Sequence, residues 1–363
     1  LDFEISVPEL NHFRESLLAW YEANKRDLPW RQNQDPYAIW VSEIMLQQTR
    51  VAAVIDKYLA FLQNFPTVEA LAAATEAEVL TLWSGLGYYR RARMLHQGAR
   101  AVAENCQGVM PQNRASLRNL PGIGSYTSAA IASIAYGEPV AVVDGNVERV
   151  IQRLAGWGAT STAGQAKLAR ETEQLAGKLL DPHHAGAFNQ AMMELGATIC
   201  LPKNPQCLLC PVRKYCKTQG EHPTPLRARM RTQDAVYALA LRSLPKQGSA
   251  GLGMRQVLLV QRSAMETVMP GMWELPSLQD THAPAHTARL VVRHAIMQVN
   301  YRVRIHLLQE DDFLDRIESF DPSESTTLRR WFSITELDTL PLTGLARKVL
   351  LKSRLPELAA VTQ

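Results

Sequence analysis

Leu117-Arg-Asn-Leu-Pro-Gly-Ile-Gly-Ser-Tyr-Thr127, with an Ala- and Ile-rich run to Tyr136 and then Val140-Ala-Val-Val-Asp-Gly-Asn-Val-Glu-Arg149, is the stretch that decides the fold. It reads as helix, tight turn, helix. Leu117 and Leu120 close a first helix, and Pro121 stops it. Gly122 and Gly124 permit a hairpin that a Cβ would obstruct. A second helix is predicted from Tyr126 to Tyr136. Backbone N–H groups at its N-terminus can approach an anion closely, and a phosphate is the natural guest. The run after Gly137-Glu-Pro139 is apolar until Asp144, where a further helix is expected to start near Asn146. A carboxylate therefore stands at the mouth of a helix, beside a turn shaped for a nucleic-acid backbone.

Each piece also has an ordinary reading. Pro-Gly-x-Gly is common between helices, and an Asp before a helix is most often its cap. Joined in this order, the pieces resemble the helix-hairpin-helix and the Gly/Pro-rich loop with Asp of the endonuclease III superfamily of DNA glycosylases.

Composition sets the bounds. At 363 residues the chain has room for two domains or more. Its content of 46% hydrophobic and 20% charged residues is that of a globular protein. A net charge of +4 permits nucleic acid without arguing for it. No run of about 18 uncharged apolar residues occurs, so no membrane span is expected. The start, Leu1-Asp-Phe-Glu-Ile5, has no signal-peptide character, and its missing Met suggests trimming. The expected setting is intracellular and reducing, and the resemblance implies a DNA-associated protein, expected as a monomer. There, clustered cysteines argue for metal rather than disulfides.

From the N-terminus, residues 9–23 read as a short amphipathic helix, followed by the polar loop Lys25-Arg-Asp-Leu-Pro-Trp-Arg31. Apolar residues from Tyr37 to Leu62 recur with a helical period, and Glu43, Gln47 and Arg50 fall on the polar stripe. By its spacing alone Glu43 is a solvated helix residue. However, Trp40-Val-Ser-Glu-Ile-Met-Leu-Gln-Gln-Thr49 resembles the signature of one branch of the superfamily, the MutY-type adenine DNA glycosylases, in which the Glu is the catalytic acid. Residues 71–83 read as one helix, ending in the glycine turn Ser84-Gly-Leu-Gly-Tyr-Tyr-Arg-Arg-Ala92. That turn is either an ordinary loop or a set of aromatics beside Arg90 and Arg91 at a DNA surface. It too resembles MutY. Residues 165–180 and 185–199 read as two further helices.

Cys200, Cys207, Cys210 and Cys216 follow in the pattern C-x6-C-x2-C-x5-C. Four thiolates so close suit one S4 site, zinc or [4Fe–4S], and the residues leave that choice open. The resemblance implies the [4Fe–4S] cluster. Lys203, Arg213, Lys214 and Lys217 around the loop suit phosphate contact, and Cys106 stands apart. Residues 218–233, basic with two prolines, read as an interdomain connector. Beyond them the period becomes two. Strands are predicted at 235–241, 256–261, 288–294 and 301–308, with Pro270-Gly-Met-Trp-Glu-Leu-Pro276 as a turn entering another, and residues 331–351 read as mostly helical. This α+β part resembles the Nudix-like C-terminal domain of the MutY branch. The acid-rich helix that binds Mg²⁺ in Nudix hydrolases is missing from this stretch, so recognition is expected here and pyrophosphate hydrolysis is not.

The fold expected is multidomain. An all-α helix-hairpin-helix glycosylase domain with the cluster loop spans 1–217, and the Nudix-like 8-oxoguanine recognition domain spans 234–363. The resemblance implies excision of adenine mispaired with 8-oxoguanine in double-stranded DNA. Glu43 would be the acid, and Asp144 would stabilise the oxocarbenium-like sugar, assisted by Tyr126 and Asn146. Bifunctional relatives carry a Schiff-base Lys where Tyr126 stands, so strand cleavage is not expected. Arg26, Trp30, Arg31, Leu46 and Gln190 would line the adenine pocket. Gln48 and Tyr88 would fill the space around the mispair, with Thr49 and Leu86 near 8-oxoguanine. Gly122, Gly124 and Ser125 would meet phosphate. A Phe-Ser-His loop of the family is replaced here by Ile296-Met297-Gln298, so a weaker preference for 8-oxoguanine over guanine is expected. The alternatives are a mismatch or bifunctional pyrimidine glycosylase, and a noncatalytic DNA-binding protein.

Overall fold

The computed structural model describes residues 3–158, 162–222, 230–244, 254–263, 265–266, 268–278, 288–296, 299–309 and 328–353. By contacts the chain divides into two compact units, Leu1–Ala73 with Met94–Arg227, and Ala74–Arg93 with Ala228–Gln363. The 74–93 stretch, expected within the helical domain at 1–217, thus groups with the second unit.

The first unit is helical. Helix α1, Val7–Asn24, starts at a capping box in which Glu9 accepts from the Ser6 amide at 3.0 Å. Asp35 caps α2, Pro36–Leu46, by accepting from the Tyr37 amide at 3.0 Å. The chain then breaks. Gln47 leaves helical geometry, Gln48 adopts a φ of 57°, and α3 begins afresh at Val51–Asn64. One helix over 37–62 was the expectation, and the break carries neither Gly nor Pro to announce it. The polar-stripe reading of Glu43 also fails. Tyr37 through Met45 are all buried, so α2 is a core helix with no solvent face along that run.

The expected helix over 71–83 is likewise two, α4 at Val68–Ala73 and α5 at Glu76–Trp83. Thr75 and Glu78 form a capping box that restarts the chain. Helix α6 is Arg90–Asn105 and α7 is Arg114–Leu117. The hairpin turn leads to α8, Ser125–Tyr136. Gly122 has a φ of 78°, and a Cβ there would lie 2.7 Å from the Met94 Cβ, so only glycine fits. Gly124 differs from the expectation: a Cβ on it would meet nothing within 4 Å. Helices α9, Gly145–Ala155, α10, Thr162–Leu179, and α11, Ala185–Thr198, complete the unit. Phe13, Leu17, Ile151, Leu179, Phe188 and Leu195 anchor a core shared by α1, α9, α10 and α11.

The second unit is built on a mixed sheet. Its strands are β1 Arg231–Leu244, β2 Met254–Gln261, β3 Trp273–Glu274, β4 Leu290–Ile296, β5 Val299–Gln309 and β6 Arg329–Ser333. The order is β3-β2-β1-β5-β4, with β6 also paired to β2. β1 and β5 run parallel and the other pairs antiparallel. Period two shows along β1. Val236, Ala238 and Ala240 face one apolar cluster, and Leu239 faces another with Val257, Val303 and Phe332. Helix α12, Gly344–Lys352, covers the latter face through Leu345, Ala346, Val349 and Leu350. The helical reading of 331–351 is corrected at its start, where Trp331–Ser333 belong to β6 and pair with β2. Among the described residues, no helix is long and apolar enough to cross a membrane.

Candidate active site

Helices α2, α8, α9 and α11 converge on one cavity of about 590 Å³. The break after α2 contributes Gln47, Gln48 and Thr49 to its wall, and the loop before α2 contributes Arg26, Trp30 and Arg31. Leu46 and Gln190 also line it. Glu43, Tyr126, Asp144 and Asn146 lie in the same cavity, although the sequence spreads them from position 43 to position 146.

Glu43 is only 6% exposed. The Tyr126 hydroxyl donates to its Oε2 at 2.5 Å. Burial lifts the Glu43 pKa to about 7, against the pull of the Tyr126 hydrogen bond; the negative charge of Asp144 adds to the rise and Arg31 opposes it. Burial also drives the Tyr126 phenol well above its ordinary value, and the neighbouring Glu43 adds to this, so Tyr126 is a donor and not a base. Asp144 is a helix cap in fact: its Oδ1 accepts from the amides of Asn146 at 2.9 Å and Val147 at 2.7 Å. Its Oδ2 accepts from the Asn146 side-chain amide at 3.1 Å. The cap and the site are one feature, because capping fixes the carboxylate at the cavity.

One wall is an ion-pair cluster. Glu194, 1% exposed, accepts from Arg26 Nε at 2.6 Å, from Arg26 Nη2 at 2.7 Å and from Arg31 Nη2 at 2.8 Å. Burial pushes its carboxyl up, but the hydrogen bonds from Arg26 and Arg31 and their charge outweigh it, holding the pKa at about 2. Two carboxyls in one cavity are thus driven apart, Glu43 towards the acid and Glu194 towards the anion. The sequence reading overlooked Glu194. It lies one helical turn after Gln190 on α11, so the same face carries both. Gln190 is held by the Tyr21 hydroxyl, which donates to its Oε1 at 3.1 Å. α11 comes close enough because residue 196 is glycine: a Cβ there would lie 2.7 Å from the Asn146 Cβ.

At the hairpin, Arg114 donates to Ser125 Oγ at 2.7 Å beside Gly122 and Gly124. Leu86 and Tyr88 belong to the second unit, Leu86 buried and Tyr88 53% exposed. Ile296 ends β4, half-buried; Met297 and Gln298 lie outside the described residues. Cys200, Cys207, Cys210 and Cys216 line a second, small cavity of about 30 Å³. Arg153, buried, donates to Cys200 Sγ at 3.3 Å. Among the described residues no three His, Cys, Asp or Glu side chains converge on a point where one ion could sit.

Comparison with known proteins gives a family match in the helical part and a relative matched over most of the chain. Residues 41–178 match the HhH-GPD superfamily of base excision DNA repair proteins. The chain is 48% identical over 222 residues to the human adenine DNA glycosylase, covering 59% of this chain and 40% of that one. It is 36% identical over 380 residues to the Arabidopsis thaliana adenine DNA glycosylase, covering 93% and 59%. The chain spans about half the length of the curated relatives it matches. A thermostable thymine-DNA glycosylase superposes with a TM-score of 0.52 at 31% identity, over 58% of this chain and 96% of that one. A non-covalent endonuclease III–DNA complex superposes with a TM-score of 0.50 at 21% identity, a likeness of fold, over 60% of this chain and 97% of that one.

Proposed function

The chain belongs to the HhH-GPD superfamily of base excision DNA repair proteins, and from that premise we propose that it is a monofunctional DNA glycosylase excising adenine mispaired with 8-oxoguanine or guanine. The observation that carries this reading is the buried Glu43, held by Tyr126 and facing Asp144 in a cavity of base-accommodating size. The similarity to curated adenine DNA glycosylases supports adenine as the base.

The target bond is inaccessible in a stacked duplex, so the nucleotide is flipped out and the adenine enters the cavity. Adenine leaves poorly as an anion. Glu43, with a pKa of about 7, keeps a large protonated fraction near neutrality and donates that proton to N7. The sugar then develops positive charge, which the Asp144 carboxylate, aimed by its cap, stabilises. The Glu194 carboxylate holds Arg26 and Arg31 as a fixed polar wall, with Trp30 as an apolar one and Gln190 reading the base edge. No lysine is among the described residues lining the cavity, which supports base release without Schiff-base chemistry.

The four cysteines supply the donor set of a [4Fe–4S] cluster. Their placement around one small cavity is compatible with such a cluster. When bound, such a cluster ties the loop 200–216 together. Exposed Lys203, Arg213, Lys214 and Lys217 then present charge to phosphate. The second unit serves as a Nudix-like domain that reads 8-oxoguanine, with Ile296 at the end of β4 among its contacts.

Single-turnover base release tests the reading. Glu43→Gln keeps the shape of the cavity and removes the acid. It is expected to bind the mispaired duplex and to lose adenine release by at least ~10²-fold. Release within tenfold of the unmodified chain would remove Glu43 from the reaction.

A further inference from the structure

Residues 74–93 lie between helices of the first unit in the sequence, yet they group with the sheet unit. Named side chains tie them there. Tyr89, 4% exposed, donates its hydroxyl to the Leu342 carbonyl at 3.2 Å. The Thr81 hydroxyl, 2.8 Å from the Ala77 carbonyl of its own helix, shares its hydrogen with the Thr339 carbonyl at 3.1 Å, and Arg93 donates to the Pro270 carbonyl. Helix α5 packs on the short 3-10 helix Ile334–Thr339.

Between these ties runs the turn at 84–88. Trp83 Nε1 donates to the Gly87 carbonyl at 3.1 Å, and Arg91 Nη2 to the same oxygen at 3.3 Å. The Arg91 guanidinium lies 5.5 Å from the ring centres of both Trp83 and Tyr88. Tyr88 itself sits at a φ of 48°, a left-handed conformation unfavourable to a bulky side chain. Such a conformation persists only where its surroundings impose it. The next residue points the other way: Tyr89 is buried with a bonded hydroxyl, while Tyr88 is 53% exposed.

We propose that Tyr89 is a positioning residue, whose hydroxyl on the Leu342 carbonyl of the sheet unit holds Tyr88 in the outward conformation from which its ring meets the opened duplex. This rests on the reading of Tyr88 as a DNA-facing residue. It adds a mechanical duty to the sheet unit, which fixes an aromatic probe as well as carrying the recognition loop.

The test uses the full chain with Tyr89→Phe, Tyr88→Ala and the double variant. Phe retains the ring and its packing, so the melting temperature is expected to move by only a few degrees. Two readouts are taken. Hydrogen exchange at the amides of Leu86 and Arg91, which bond to the Trp83 and Tyr88 carbonyls, is expected to quicken in Tyr89→Phe. Affinity for a 25-mer duplex with adenine opposite 8-oxoguanine, relative to its fully paired counterpart, is expected to fall about fivefold, the worth of one neutral hydrogen bond. The same substitution in the Tyr88→Ala background is expected to cost nothing further. Unchanged exchange, or an equal affinity loss in both backgrounds, would overturn the proposal. An unmodified chain that does not prefer the mispaired duplex would instead overturn the glycosylase reading, and the exchange measurement would still decide the anchor.

Discussion

Burial of Glu43 acts on stability as well as on chemistry. Its carboxyl holds a proton more tightly in the folded chain than in the unfolded one, with a pKa of about 7 against an ordinary 4.5. The group's contribution is therefore intact below about 4.5 and is lost as the pH rises through 7. Glu43→Gln cannot ionise, so its stability should match that of the unmodified chain at pH 3.5 and exceed it at pH 8.5 by up to about 3 kcal/mol. A pH-independent difference would contradict the buried acid. Asp144→Asn separates the two duties of that residue. Asn caps helices well, so folding should survive. Base release should still fall by ~10²-fold or more, because an amide cannot balance the sugar's charge; retained release would leave Asp144 as a cap only. Tyr126→Lys places an amine in the cavity, and borohydride trapping on duplex DNA is expected to rise from background. Motif resemblance singled these residues out, and their environment was not legible in the sequence. Glu43 looked solvated because a lone carboxylate on an all-buried helix leaves the same trace as one on a polar stripe. Glu194 escaped notice because only its fold-borne contact with Arg26 and Arg31 marks it.

Elements were legible where their punctuation is local. The hairpin helices, the Asp144 cap and the strands of period two follow from Pro, Gly, Asp and alternation. The break at 47–50 follows from none of these, since Gln48 adopts a φ of 57° without any glycine to signal it. That break places Gln48 and Thr49 on the cavity wall, so tertiary demand overrides local preference there. β6 was read as helix because Trp331, Phe332 and Ile334 continue the apolar run of the helical end, and its strand state comes from pairing with the distant β2. The hairpin glycines make a prediction at this scale. Gly122→Ala meets both a φ of 78° and the Met94 Cβ, so it should lower stability by about 1–3 kcal/mol in chemical denaturation. Gly124→Ala meets no protein atom within 4 Å. It should melt as the unmodified chain does, yet bind duplex DNA more weakly if a phosphate approaches that turn. Equal affinity for DNA would move the phosphate elsewhere.

At the scale of the whole molecule, the chain divides into a helical unit and a unit built on a mixed sheet. The assignment of 74–93 to the sheet unit was invisible in the sequence, because its ties to Pro270, Thr339 and Leu342 join positions far apart in the chain. Charge was legible only as permission. The net charge of +4 is modest, and the 200–217 loop carries exposed Lys203, Lys214 and Lys217. Lys203→Ala should weaken binding to any duplex alike and lessen the slope of log affinity against log salt by about 1; an unchanged slope would remove Lys203 from the phosphate path. Adenine excision opposite 8-oxoguanine is tested by single-turnover kinetics of the unmodified chain. Four duplexes carry adenine opposite 8-oxoguanine, guanine, cytosine and thymine. The account predicts rapid adenine release opposite 8-oxoguanine, slower release opposite guanine, little opposite the pyrimidines, and no strand scission before alkali. Release of a pyrimidine base instead, or scission that keeps pace with base loss, would contradict it.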